Sequence, residues 1–310
     1  MKPCLLILCP SPPSTLARLA EHFDCHYAPD AESRRTTIAE HAASIQMVLT
    51  TGAVGLAGAE IARLPALQLV SALGVGYENI DLGAARERGI ALCSGAGSNA
   101  ASVADHAMAL LLAAIRDLRN LDIACRAGLW RTQLPAQDGV GGKRVGILGL
   151  GAIGERIATR AMAFEMSVGY HNRTPKDASP HRYFDSPLAL ARWADCLVVA
   201  IPGGAATHHL VGREMLEALG AGGYLVNVGR GSVVDTAALA DALRRQVIRG
   251  AALDVYESEP LPPQELVALD NVILCPHLGG NSPQAVAQAL TQFIENVRRH
   301  FAGEPLLTPL

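Results

Sequence analysis

"KRVGILGLGAIGERIATRAMAF", residues 143–164, decides the fold. Its apolar run at 145–148 reads as a buried strand, and 155–164 continues at helical period. Between them Gly149, Gly151 and Gly154 form a turn. A bare GxGxxG is weak evidence, with a purely structural turn as its plain alternative. Placed between a strand and a helix, the pattern is far more specific. The glycines permit a tight turn and close approach of backbone N–H groups to a pyrophosphate, which the helix N-terminus favours electrostatically. Gly149, Leu150, Gly151, Ala152, Ile153 and Gly154 are therefore the expected pyrophosphate cradle of a dinucleotide site.

Working outward, "MSVGYHN", "DCLVVAIP", "GGYLVNVG", "GAALDV" and "NVILCP" read as five further strands, with helical patterns between most of them. Six strands in this rhythm fit a complete doubly wound sheet. Before the turn, "CLLILC", "MVLTT", "LQLVSAL" and "IALCSG" alternate with the helical patterns "PSTLARLAEHF" and "LGAARERG", which predicts a second parallel sheet. "SNAASVADHAMALLLAAIRDL", residues 98–118, predicts one long bridging helix capped by Ser98 or Asn99. "SPQAVAQALTQFIENVRRHFAG", residues 282–303, is long enough to return to the first sheet.

Half of the 310 residues are hydrophobic and 18% are charged, which suits well-buried α/β domains rather than a disordered chain. A formal net charge of −3 gives no pull toward nucleic acid or acidic membrane, so neither is an expected partner. The seven cysteines are scattered and form no CxxC, so neither a metal site nor a disulfide framework is expected. Reduced thiols point to a cytoplasmic protein. "KPCLLILCPSPPS" reads as a first strand and turn, its apolar core being too short for a signal peptide, and no stretch reaches the roughly 18 apolar residues of a membrane span.

"YHNRTPKD", residues 170–177, lies about twenty residues past the glycine turn, where a dinucleotide fold usually carries an acid for the adenosine ribose. Here Asn172, Arg173 and Thr174 fill the slot, and the first acid is Asp177. A carboxylate would accept bonds from both ribose hydroxyls and repel a 2′-phosphate. An arginine with small polar neighbours suits that phosphate. NADP(H) is the expected cofactor, with NAD(H) also admitted; the plain alternative is a solvated loop arginine.

Three further groups each follow a strand end: Arg230 in "VNVGRGSVVD", Glu259 in "ALDVYESEP" and His277 in "ILCPHLGGNS". Singly, each has a plain reading as a surface or structural side chain. Together, at the carboxyl edge where open α/β sheets bind ligands, they are hard to dismiss. With these motifs in order, and "LGVGYENID" upstream, the chain resembles the D-isomer-specific 2-hydroxyacid dehydrogenases along essentially its whole length, glyoxylate/hydroxypyruvate reductases in particular. Ser282, where threonine is common, and Asp105, where glutamate is common, depart from that pattern without touching the triad.

The resemblance implies an α/β fold of two Rossmann-like doubly wound parallel-sheet domains with the active-site cleft between them. Residues 1–98 plus 286–310 would bind substrate and residues 99–285 the dinucleotide. It further implies Arg230 as the substrate-orienting group, His277 as acid/base and Glu259, rather than Glu257, as the histidine's partner. Cofactor contacts are implied at Ile201, Pro202, Val228, Gly229, Arg230, His277 and Gly279. Asp254 would hold the nicotinamide carboxamide, against a plain reading as a strand-end cap. Leu73, Gly74, Val75 and Gly76 would bind substrate, Val75 and Gly76 through backbone N–H groups, alongside Arg230 and His277.

The chemistry calls for the same set. Reducing a 2-oxo acid needs a hydride donor, a proton donor for the oxygen and a cation for the carboxylate. The expectation is an NADPH-preferring reductase of small 2-oxo acids. An aromatic 2-oxo acid reductase is the alternative enzyme, and a nucleotide-sensing binding protein of the same fold is the rival from another class. The resemblance also implies a homodimer, with "RAGLWRTQ" around Trp130 as a candidate arm.

Overall fold

Short apolar runs bounded by turns make β1 (Cys4–Ile7), β3 (Met47–Thr50), β4 (Leu69–Ala72) and β5 (Ala91–Ser94) of the first unit, with β2 (Asp24–Tyr27) at one edge. The helices between them are α1 (Pro13–His22), α2 (Ala31–His41), α3 (Gly58–Ala62) and α4 (Leu82–Glu87). All pairs are parallel, in the order β2-β1-β3-β4-β5. These coordinates are a computed structural model that describes residues 2–310. The first unit holds the residues up to Asn99 together with Ser282–Leu310, and the second is Ala100–Asn281.

Two elements of this unit carry no apolar signature. Edge strand β2 reads "DCHY" with both ends exposed. Helix α2 buries only Ile38, and its start is fixed by a capping box: Asp30 accepts the Glu32 and Ser33 N–H groups while Ser33 Oγ accepts the Asp30 N–H.

The second unit runs through α5 (Ala100–Ile115), α6 (Leu118–Arg126), β6 (Arg144–Leu148), α7 (Ala152–Ala163), β7 (Ser167–His171), β8 (Arg182–Tyr183), α8 (Pro187–Trp193), β9 (Cys196–Val199), α9 (Arg213–Leu219), β10 (Tyr224–Asn227), α10 (Thr236–Arg244), β11 (Gly250–Leu253) and β12 (Val272–Leu274). Its parallel sheet has seven strands, order β12-β11-β10-β9-β6-β7-β8, not the expected six. The extra strand is β8, two residues on the edge beside β7, too short for a sequence pattern. Alternation along the strands feeds two cores. Val145, Ile147 and Val198 pack with Val103, Leu111 and Ile157 of α5 and α7. Leu148, Leu197 and Leu225 pack with Leu190, Leu216 and Leu239 of α8, α9 and α10. Each such aliphatic side chain contributes about 1.5–3 kcal/mol on burial.

The bridging helix does not run unbroken to residue 118. It ends at Ile115, Asp117 turns left-handed (φ 50°), and the chain restarts as α6, which buries none of its residues. Asp tolerates this conformation better than most residues. The last helix, α11 (Pro283–Phe301), buries Leu290, Phe293 and Val297 against Leu5, Met47 and Leu69 of the first unit. Ser282 caps it, its Oγ accepting the Ala285 N–H at 3.1 Å. No helix among the described residues is long and apolar enough to cross a membrane.

Candidate active site

Chain order reverses between β6 and β9, and the groups singled out in the second unit lie on the loops beyond the carboxyl ends of this sheet's strands. At the first, Gly149 adopts φ 96°, and a Cβ there would lie 2.7 Å from Ile201 Cγ2. At Gly154 a Cβ would collide with the Gly149 carbonyl oxygen, whereas at Gly151 it would meet nothing within 4 Å. Gly151 is the N-cap of α7 and has no capping side chain. The turn is thus closed where it must pack and open where the helix begins, which fits a pyrophosphate. One cradle donor is already engaged: the Leu150 N–H goes to Asn172 Oδ1 at 2.7 Å.

That bond gives Asn172 a definite task, bracing the glycine turn. Arg173 and Thr174 beside it are exposed, and Arg173 has no hydrogen bond or ion pair among the described residues. Lys176 is paired with Glu155, and its N–H donates to Tyr170 Oη at 2.9 Å.

Ile201 and Pro202 follow β9, and Val228 and Gly229 follow β10. The turn carrying Arg230 is held by Asn227, a fully buried side chain that sequence reasoning missed. Its Oδ1 accepts the Gly229 N–H and its Nδ2 donates to the Arg230 carbonyl oxygen, both at 3.0 Å. The signal was present as a lone amide ending the apolar run "YLVN".

Glu259 Oε2 lies 2.8 Å from His277 Nδ1, and its Oε1 accepts the Tyr256 N–H at 2.9 Å. The hydrogen bond to Glu259 raises the His277 pKa; burial opposes this, the Glu259 and Asp254 charges add to it, and the Arg230 charge works against it. Burial pushes the Glu259 carboxyl up, but the bonds from His277 and the Tyr256 N–H, with the His277 and Arg230 charges, hold it below the usual range. The neighbouring Glu257 is engaged elsewhere, on His209 Nε2 at 2.6 Å and on the N–H and hydroxyl of Thr236. His277 Nε2 has no partner among the described residues. The structure therefore brings His277 together with the Glu259 carboxylate and leaves Nε2 without a partner among the described residues, while the Arg230 charge acts on both groups.

Asp254 is 2% exposed and acts as a cap: Oδ1 accepts the Leu278 N–H at 2.8 Å and Oδ2 the Gly279 N–H at 2.9 Å. Ser102 and His106 of α5 also reach this turn and were not singled out in the sequence.

In the first unit, "LGVGYENID" leaves β4 as a loop tied down by the Leu73 N–H to the Thr50 carbonyl oxygen and the Asn79 N–H to the Gly52 carbonyl oxygen. Asp81 caps α4, accepting the Ala84 N–H at 3.0 Å. The N–H groups of Val75 and Gly76 make no hydrogen bond among the described residues.

Residues 108–279 match the family model described as D-isomer specific 2-hydroxyacid dehydrogenase, NAD binding domain. Over 99% of its length the chain is 37% identical to glyoxylate/hydroxypyruvate reductase A of Arabidopsis thaliana, covering 98% of that protein. It is 36% identical to hydroxyphenylpyruvate reductase of Plectranthus scutellarioides at the same coverage. Among solved structures, the NADPH-dependent glyoxylate/hydroxypyruvate reductase of Sinorhizobium meliloti, in complex with NADP and malonate, superposes with a TM-score of 0.90. The two chains are 34% identical, and the match covers 100% of this one and 97% of the other.

Proposed function

The chain belongs to the D-isomer specific 2-hydroxyacid dehydrogenases, and from that premise we propose that it is an NADPH-preferring reductase of small 2-oxo acids of the glyoxylate and hydroxypyruvate type. The observation that carries this is the Glu259–His277 contact, which leaves Nε2 of a raised-pKa imidazole free to act. The nicotinamide, when bound, supplies the hydride for the carbonyl carbon. His277 donates the proton to the oxygen in reduction and removes it in oxidation. Glu259 orients the ring and stabilises its charged form. Arg230 grips the substrate carboxylate and stabilises negative charge developing on the oxygen. The unpaired Val75 and Gly76 N–H groups, with Leu73 and Gly74, bind the same carboxylate in this reading.

The cofactor side rests on the loop after β7. With Asn172 committed to the glycine turn, Arg173 is an unpaired cation in the ribose slot, suited to a 2′-phosphate. The S. meliloti reductase, described with NADP, supports the same preference. The plant hydroxyphenylpyruvate reductase favours a second reading, in which the substrate side chain is aromatic. We also assign a cytoplasmic homodimer. Leu118, Ile123, Leu129 and Trp130 leave apolar surface uncovered on and after α6, and Trp130 is 66% exposed.

Initial rates with glyoxylate, hydroxypyruvate and hydroxyphenylpyruvate, each with NADPH and NADH, test these assignments. The expected result is highest kcat/KM for a small acid with NADPH. No oxidation of either cofactor by any of them would favour a binding protein instead.

A further inference from the structure

Ser102 and His106 stand four residues apart on α5, the spacing that places two side chains on one helix face. Both reach the turn that carries His277. Ser102 Oγ donates to the Gly279 carbonyl oxygen at 2.8 Å. His106 Nε2 lies 3.1 Å from Asp254 Oδ1; it is shielded from solvent, and neither this contact nor any other to it has hydrogen-bond geometry. Asp254 gathers the rest of the turn. Its carbonyl oxygen accepts the His277 N–H at 2.9 Å, and its carboxylate accepts the next two N–H groups in the chain. Three consecutive backbone donors, 277 to 279, therefore converge on one buried residue. His277 itself is held at φ 54°, a left-handed conformation uncommon outside glycine. A Cβ on Gly279 would lie 2.7 Å from Asp254 Oδ2 and 3.3 Å from His106 Cδ2, so the turn is pressed directly onto this pair.

We propose that Asp254, with His106 and Ser102 of α5, is the clamp that holds the His277 turn in place for proton transfer, and that His106 is a positioning residue acting through Asp254. The proposal rests on the reading of His277 as the proton donor. Its physical basis is the cost of a buried carboxylate: two backbone N–H donors satisfy the charge, the His106 ring packs against Oδ1, and the same contacts fix the backbone on either side of the His277 ring. Removing His106 takes away the ring packed against Oδ1 and opens space into which the carboxylate can turn. Replacing Asp254 by Asn puts an amide NH2 against a backbone N–H, leaving a buried donor without an acceptor.

His106→Ala, His106→Gln, Asp254→Asn and the His106→Ala/Asp254→Asn double variant test this, read by amide hydrogen exchange in the free protein and by kinetics. In His106→Ala, exchange at Leu278 and Gly279 should accelerate, and kcat should fall about tenfold while the NADPH dissociation constant stays within about twofold. His106→Gln, which restores polar bulk beside Oδ1, should recover most of both losses. The double variant should be little worse than Asp254→Asn alone, because His106 acts through that carboxylate. Unchanged exchange in His106→Ala, or fully additive losses in the double variant, would overturn the clamp. Turnover surviving in His277→Ala would overturn the proton-donor reading and the clamp with it, a result separable from the first by its kinetics.

Discussion

Two loops leave the same sheet edge and are built in contrary ways. Beyond β12, each N–H from His277 to Gly279 is bonded to Asp254, and the His277 ring is bonded to Glu259. Beyond β7, Asn172 is anchored, but Arg173 and Thr174 stand exposed and Arg173 has no partner. On the proposed function, the contrast follows from what each loop would do. Proton transfer rewards geometry set before the substrate arrives, because a misplaced donor loses rate steeply. A cation that recognises a phosphate is best left unpaired, since an internal carboxylate would compete with the ligand. Breaking the first loop should therefore damage turnover, and breaking the second should damage affinity for one cofactor.

The largest effect is expected at the ring. His277→Ala should lower kcat by about 10²–10⁴, with NADPH binding by fluorescence titration unchanged. Retained turnover would end the contrast, leaving a rigid turn with no chemical purpose. Arg230→Ala comes next, at about 10²–10³ in kcat/KM, distributed between KM for the 2-oxo acid and kcat because the cation acts on both ground-state carboxylate and developing charge. A loss confined to KM would reduce Arg230 to a binding group.

Legibility followed the same division. The glycine turn and the strands around it were readable because buried parallel strands are continuous apolar runs. Edge elements were not: β2 and β8 bury little, and α2 is set by the Asp30 cap rather than by an apolar stripe. The break at Asp117 escaped because helical periodicity resumes at once in α6. In the site, Arg230, Glu259 and His277 stood out as polar residues just past strand ends. Asn227 did not, since a lone amide ending an apolar run names no partner, and Ser102 and His106 did not because each acts on a group far away in sequence, 177 residues away for Ser102 and Gly279. The choice of Glu259 over Glu257 came from family likeness; in the structure Glu257 is engaged by Thr236 and His209.

Glu259→Gln sharpens the contrast from within the rigid loop. The hydrogen bond from His277 to Glu259 is the largest contribution raising the histidine's pKa, with the Asp254 charge assisting and the Arg230 charge opposing. Removing the negative charge therefore lowers that pKa. Reduction needs the protonated ring, so the alkaline limb of kcat/KM against pH should move to lower pH. Oxidation needs the neutral ring, so its acid limb should move the same way. At neutral pH the loss in reduction should be between about tenfold and a hundredfold, the shallow end of acid–base effects. An alkaline limb that stays put would show that Glu259 only supports the Tyr256 backbone.

The smallest effect belongs to the open loop. Arg173→Ala removes one charge-assisted contact to the 2′-phosphate, and because the guanidinium is exposed the loss should lie near the low end, roughly tenfold in the NADPH dissociation constant. NADH affinity should hardly change, as should kcat with either cofactor, since nothing in the Asp254 and Glu259 bonding reaches this loop. Higher salt should narrow the gap between wild type and variant with NADPH by screening an exposed cation–phosphate contact. Binding titrations with both cofactors at two salt concentrations make the distinction. Equal losses for NADH and NADPH would mean that Arg173 shapes the loop rather than reads the phosphate, and the specificity would then have to reside in its neighbours, Thr174 or a Lys176 released from Glu155.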